Sequence, residues 1–172
     1  VDSVNKNLSA MEKFAEKYPK IKMYFMLAPN AQEIYSDTLP ANCGAADQKL
    51  FIKSCYESLP NITGIDVYSG LLAAKNEYIY YRTDHHWTSY GEYIGYKSTA
   101  SAMNFTAYSE DKFSVEHASN EFRGTLYSKT LDNSITPDTI DIYALANNEP
   151  QVKVSVYKSG AKPDSSYNSL YF

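Results

Sequence analysis

At 172 residues, with 44% hydrophobic and 21% charged residues, the chain has the length and balance of one soluble globular domain. Its net charge of -4 and pI near 5.4 leave no basic stripe, which excludes nucleic acid as the main partner. It lacks the continuous apolar run of about eighteen residues that a membrane-spanning helix needs.

In chain order, Leu8, Met11, Phe14, Ala15 and Tyr18 recur at helical spacing, and Pro19 stops the run. Ile21 to Pro29 is almost wholly apolar and predicts a strand buried on both faces, as in a parallel sheet. Helix followed by such a strand is the rhythm of an α/β fold. A loop with Pro40 near its end leads to a helix over about 45–59. Ile65-Asp66-Val67-Tyr68 predicts a short strand, Leu71 to Lys75 a short helix, and Tyr78 to Tyr81 another short strand. Ser89-Tyr90-Gly91-Glu92 has the form of a capping box opening a helix to about Met103, which buries Tyr93, Tyr96, Ala100 and Met103. From Phe105 to Thr136 the pattern is polar and irregular. Asp138 to Ala146 and Val152-Val154-Val156 alternate, and the intervening Asn-Asn-Glu-Pro stretch predicts a C-terminal β-hairpin. The expected class is therefore α/β with a partial parallel sheet and a terminal hairpin.

Cys43 and Cys55 straddle a predicted helix start at a span too long for a disulfide, so both are expected as free, buried thiols. Seventeen tyrosines suit either a sugar-binding cleft or the edges of a β-rich core. The chain opens on Val1-Asp2-Ser3 and stops on the apolar Leu170-Tyr171-Phe172, so both ends read as cut from a longer protein.

The densest chemistry lies in Tyr80-Tyr81-Arg82-Thr83-Asp84-His85-His86-Trp87-Thr88, with two of the three histidines and the sole tryptophan. In an extended segment Asp84 and His86 share a face and His85 points away. A carboxylate that holds one imidazole nitrogen leaves the other free to carry protons, as in a Ser-His-Asp device. Trp87 can wall off solvent. Arg82 can bind an anionic group or pair with an acid. Two other uses of the same residues stay open: a structural Asp-His pair pinning a helix start, and metal ligation by Asp84, His85 and His86. Ser69 follows a predicted strand and Ser128 follows Gly124-Thr125-Leu126-Tyr127, but neither sits in a Gly-x-Ser-x-Gly elbow, and each reads as an ordinary turn serine.

These residues resemble the signature of the DHHW protein family of Gram-positive bacteria. The resemblance extends to Phe25 to Asn30, Ile34 to Pro40, and Phe122-Arg123-Gly124-Thr125-Leu126-Tyr127-Ser128-Lys129. More distantly, the chain is similar to the AlgJ and AlgX type of alginate O-acetyltransferase. Those proteins carry an Asp-x-His-Trp motif and a Pro-x-Lys-x-x-(Ile/Val)-Tyr-x-Asp-x-Leu-Pro loop. Pro29, Ile34, Tyr35, Asp37, Leu39 and Pro40 match that loop here, and its lysine does not.

The resemblance implies a three-layer SGNH-hydrolase-like domain over residues 1–172. It implies an extracytoplasmic acyltransferase or esterase acting on O-acetyl groups of a cell-surface polysaccharide, with a membrane-bound acyl-transfer protein as partner and no cofactor or metal. Asp84 and His86 map onto the orienting acid and the base. Trp87, Arg82, Tyr35 and Asn30 map onto substrate binding. In such proteins the serine follows a later strand, so the nucleophile is expected beyond residue 172 and the 172-residue chain is expected to be inactive. The alternative is a non-catalytic carbohydrate-binding or scaffolding protein of the cell envelope.

Overall fold

The computed structural model describes residues 2–146, 154–157, 162 and 165–167. They fall into two compact units, Val1–Ile79 with Ile94–Thr106, and Tyr80–Tyr93 with Ala107–Phe172.

The first unit opens with helix α1 (Asp2–Lys17), followed by strand β1 (Tyr24–Met26). A one-turn helix, α2 (Ala31–Ile34), and a 3-10 turn at Ser36–Thr38 come next. Helix α3 (Gln48–Glu57), strand β2 (Thr63–Ile65) and helix α4 (Val67–Ala73) complete its N-terminal part. Strands β1 and β2 pair in parallel, Tyr24 opposite Thr63 and Met26 opposite Ile65. Leu8 and Ala15 of α1 pack with Cys55, Leu59 and Ile62 to form the core of this unit. Phe14 and Tyr18 share the helical spacing yet stay 54% and 39% exposed, because the buried stripe follows Leu8, Met11 and Ala15. Tyr56 of α3 fastens the two strands. Its hydroxyl accepts from Leu27 N at 3.1 Å and donates to Ile65 O at 2.8 Å. The ring lies against Gly64, where a Cβ would come within 2.7 Å of its Cγ. The N-termini of the next three helices are closed by side chains: Asn30 for α2, Asp47 for α3 and Asp66 for α4.

Several expectations shift here. The expected strand over 21–29 is three residues long and half-buried, not buried on both faces. The strand expected at 65–68 ends at Ile65, because Asp66 accepts from Ser69 N and turns Val67–Ala73 into helix. Cys43 and Cys55 are free as expected, but Cys43 is exposed. Burial pushes the Cys55 thiol up.

Helix α5 (Ser89–Met103) begins in the second unit and ends in the first. Its cap lies one residue earlier than the capping-box reading: Thr88 Oγ1 accepts from Gly91 N, while the Ser89 hydroxyl donates to Asp141 O. Tyr93 and Ala100 are buried, but Met103 at the last turn is 46% exposed.

The second unit also holds strand β3 (Phe113–Phe122), helix α6 (Thr125–Thr130) and strand β4 (Asp138–Leu145). β3 and β4 pair antiparallel from Phe113 opposite Leu145 to Phe122 opposite Asp138, with two register shifts near Ser119. Thus the partner of the 138–146 strand is β3, which lies within the segment of polar, irregular pattern. The C-terminal antiparallel pair joins β5 (Val154–Val156) and β6 (Ser165–Tyr167), a later pairing than the expected one; the expected turn at 147–150 lies outside the described residues. Strand β3 escaped the pattern because most of its side chains face solvent on both sides. Tyr93, Phe113 and Tyr143 form an aromatic core, ring centroids 5.7 and 6.4 Å apart in sequence of contact. In this unit, tyrosine serves the interior as much as the surface, and the Tyr93 hydroxyl donates to Tyr108 O.

Candidate active site

The signature segment is a closed loop, not an extended strand. Tyr80 and Trp87 form an isolated antiparallel bridge, Tyr81 N donates to His86 O at 3.2 Å, and residues 82–86 bend between them. The bend places both imidazoles on the same side. His86 Nδ1 lies 2.6 Å from Asp84 Oδ1 and His85 Nδ1 lies 3.5 Å from the same oxygen, with the two ring centroids 3.9 Å apart. The expected Asp84–His86 pairing is there. His85 does not point away, because the two-residue alternation of a strand does not apply in a bent loop.

What holds the loop comes from distant parts of the chain. Asp138, at the start of β4, has no solvent exposure and accepts from Arg82 N and Thr83 N, each at 2.8 Å, and from the Thr83 hydroxyl. Arg82 Nη1 lies 3.6 Å from the same carboxylate, so this arginine pairs with an acid while half its side chain stays exposed. Thr83 in turn accepts from Gly124 N through its hydroxyl, and from Leu126 N and Tyr127 N through its carbonyl. The first turn of α6 is thereby fastened against the loop.

Asp84 is the centre of this arrangement and is 4% exposed. Oδ1 accepts from His86 N at 3.0 Å and from His86 Nδ1; Oδ2 accepts from Thr125 N at 2.8 Å and from Thr125 Oγ1 at 3.0 Å. Burial alone would raise its carboxyl, but the Thr125 and His86 backbone N–H groups and both side chains outweigh burial and hold it well below the usual carboxylate range. Asp84 is therefore ionised at neutral pH and acts as acceptor to every one of these donors. Gly124 makes room for it: a Cβ there would sit 2.4 Å from both Asp84 Cβ and Oδ2. Nearby, burial first, then the charges of Asp138, Asp141, Asp84 and Glu92, push the Tyr81 phenol up.

With Nδ1 of His86 given to Asp84, its Nε2 is left on the outward side of a ring that is 67% exposed. That is the geometry of a base oriented by an acid. Asp84, His85 and His86 also bring possible metal-ligand atoms within 4.8 Å of one another. Both Asp84 oxygens and both Nδ1 atoms are already hydrogen-bonded, so an ion here would be left with the outward Nε2 atoms.

The remaining expected site residues have other observed partners. Trp87 is half-buried and closes the loop by its bridge to Tyr80. Asn30 and Tyr35 belong to the first unit. The Asn30 side chain caps α2 and accepts from Gln48 Nε2 at 2.7 Å; Tyr35 is half-buried at the end of α2, and burial raises its phenol. The Ser69 hydroxyl donates to Asp66, and that of Ser128 donates to Gly124 O within α6. The residues that sequence reasoning missed are Thr83, Gly124, Thr125 and Asp138. Phe122 to Lys129 carried a resemblance signal, but nothing in its spacing indicates that Thr125 binds a carboxylate 41 residues away.

Residues 4–156 match the DHHW protein family. The chain belongs to that family. Among solved structures, it resembles a DHHW family protein from Eubacterium siraeum at 30% identity and a TM-score of 0.74, covering 83% of this chain and 48% of that one. It also resembles Bacillus cereus PatB1, solved with a sulfonyl adduct, at 15% identity and a TM-score of 0.70, over 90% of this chain and 52% of that one. The O-acetyltransferase domain of Pseudomonas putida AlgJ aligns at 16% identity and a TM-score of 0.62, over 80% of this chain and 54% of that one. No curated protein matches. The DHHW chain thus has an α/β fold, shared with the O-acetyltransferase domain of AlgJ, and spans about half the length of these relatives. Among the described residues no helix is long and apolar enough to cross a membrane.

Proposed function

We propose that this chain is the acid-base half of an extracytoplasmic acyltransferase or esterase that handles O-acetyl groups on a cell-surface polysaccharide. Residues 1–172 form one SGNH-like domain of a longer protein, and the serine nucleophile comes from the part outside them. The observation that carries the reading is the 2.6 Å bond from His86 Nδ1 to a buried, four-times hydrogen-bonded Asp84, which leaves Nε2 outward. His86 Nε2 takes the serine proton as the oxygen bonds the acyl carbon, and the donor alcohol leaves with that proton. A sugar hydroxyl then gives its proton to Nε2 as its oxygen bonds the acyl carbon, and the serine oxygen leaves and takes that proton back from Nε2. Water in place of the sugar gives hydrolysis. Asp84 keeps the ring in one tautomer and stabilises the imidazolium formed in passing. Arg82 and Trp87 border this site, and Asn30 and Tyr35 are assigned to substrate binding on the loop resemblance. A membrane-bound acyl-transfer protein supplies the acyl group, and the chemistry uses no cofactor. The fold shared with the AlgJ O-acetyltransferase domain supports this reading, as does the sulfonyl adduct on PatB1, a group that attaches to a nucleophile.

A chromogenic acetyl ester tests the reading. The full-length protein should turn it over, His86→Ala and Asp84→Asn should each lower the rate about a hundredfold or more, and the 172-residue chain should be inert. Turnover by the 172-residue chain that His86→Ala abolishes would put the nucleophile inside it. Glycan binding without turnover in the full-length protein, unaffected by both substitutions, would favour the carbohydrate-binding alternative.

A further inference from the structure

The second imidazole of the signature is held by the same carboxylate through an intermediary. His85 Nδ1 lies 2.8 Å from Thr125 Oγ1, and that hydroxyl lies 3.0 Å from Asp84 Oδ2. A threonine hydroxyl has one proton to donate and lone pairs to accept with. The ionised carboxylate can take nothing but a donor, so the Thr125 proton goes to Asp84. His85 must then donate to Thr125 from Nδ1. The same Nδ1 lies 3.5 Å from Asp84 Oδ1, where the carboxylate charge favours a proton over a lone pair on that nitrogen. Thr125 is thus a positioning residue that carries the orienting effect of Asp84 to His85. Both rings are turned alike: Nδ1–H inward, Nε2 outward, with side chains 58% and 67% exposed and centroids 3.9 Å apart at a 38° tilt.

We propose that His85 is a second hydroxyl-binding imidazole, which receives the neighbour of the hydroxyl that faces His86. A proton-relay pair needs one outward acceptor; this loop presents two side by side. The ligand that fits is a donor pair on one rigid ring, two hydroxyls on adjacent carbons of a sugar. The assignment of that sugar as acyl acceptor rests on the acyl-transfer reading above; the tautomers do not.

The test uses the full-length protein, with a methyl glycoside bearing a vicinal diol and its monodeoxy analogue as probes. Acyl transfer to the diol should show a KM about tenfold below that for the deoxy sugar, one hydrogen bond's worth. His85→Phe, which keeps the ring stack, should raise the diol KM to the deoxy value with a smaller change in kcat, and His85→Gln, which keeps an acceptor oxygen, should recover part of the difference. Equal KM values for the two sugars in the unsubstituted protein, or a His85→Phe defect confined to kcat, would overturn the proposal. Nitrogen-15 histidine spectra give a readout independent of turnover. They should show Nδ1–H on both rings, and a shift of His85 Nε2 on titration with the diol but not with the deoxy sugar. A His85 protonated on Nε2 alone, or no shift with either sugar, sinks the assignment even if acyl transfer is confirmed. A diol-specific shift sustains it even if no transfer is found.

Discussion

Two aspartate–histidine pairs in the second unit have the same contact and different surroundings. His86 and Asp84 meet at 2.6 Å, and so do His117 and Asp141 across β3 and β4, where the two residues are register partners. The Asp84 side chain is 5% exposed and that of Asp141 is 27%. Asp84 takes two backbone N–H donors and a threonine hydroxyl besides its histidine, and a glycine is present where any side chain would collide with it. His117 reaches its partner from a strand face open to solvent, its own side chain 71% exposed. The distance between two atoms therefore does not distinguish the proposed dyad from a surface pair. The donors that lock the carboxylate do, because they fix where the imidazole proton sits and what faces outward.

Substitution of Gly124 should break this contrast most strongly. Gly124→Ala places a Cβ 2.4 Å from Asp84, and neither the backbone of α6 nor a carboxylate with four partners can yield cheaply. We expect a loss of about 1–3 kcal/mol in unfolding free energy, typical of overpacking, and loss of most ester turnover in the full-length protein. Denaturant melts and the chromogenic assay read both; unaltered melts and activity would mean that Asp84 is not held as described.

Acid should sharpen the contrast at intermediate size. The Asp84 carboxyl is depressed in the folded state, so its stabilising contribution is full above the ordinary carboxylate pKa of about 3.9 and is lost as pH falls toward the depressed folded value. Unfolding free energy should therefore decline below about pH 4, and the decline should be shallower in Asp84→Asn. An identical acid slope in the two proteins would remove Asp84 as its source. The smallest effect belongs to the other pair: His117→Ala should change stability by no more than about 0.5 kcal/mol and leave turnover intact, as exposed pairs do. A large loss of turnover there would give the strand pair a role that its exposure argues against.

Helices α1, α3 and α5 could be read in the sequence because an amphipathic stripe is a local property: Leu8 with Ala15 and Tyr93 with Ala100 are buried as read, whereas on α3 the buried face is Ile52 with Cys55, and Leu50 and Phe51, which share the expected stripe with Cys55, are 62% and 46% exposed. The ends were less legible. A carboxylate at Asp66 converted an apolar Val67-Tyr68 from strand to helix, and Thr88 took the cap assigned to Ser89. Strand β3 went unread because its side chains are mostly exposed on both faces, so the pairing with β4 and not an alternating pattern makes it a strand. The dyad itself was legible, since residues two apart can meet without help from the rest of the chain.

By itself the sequence determined the local helices, the family signature and the pairing of residue 84 with residue 86. Folding decided the remainder: the bend that brings His85 round beside His86, the Gly124 clearance, and the delivery of Thr125 and Asp138 from 41 and 55 residues away. The physical reason is that a buried carboxylate must find a donor for each oxygen. Which donors it finds depends on which backbone the tertiary structure carries past it, and no spacing along the chain records that.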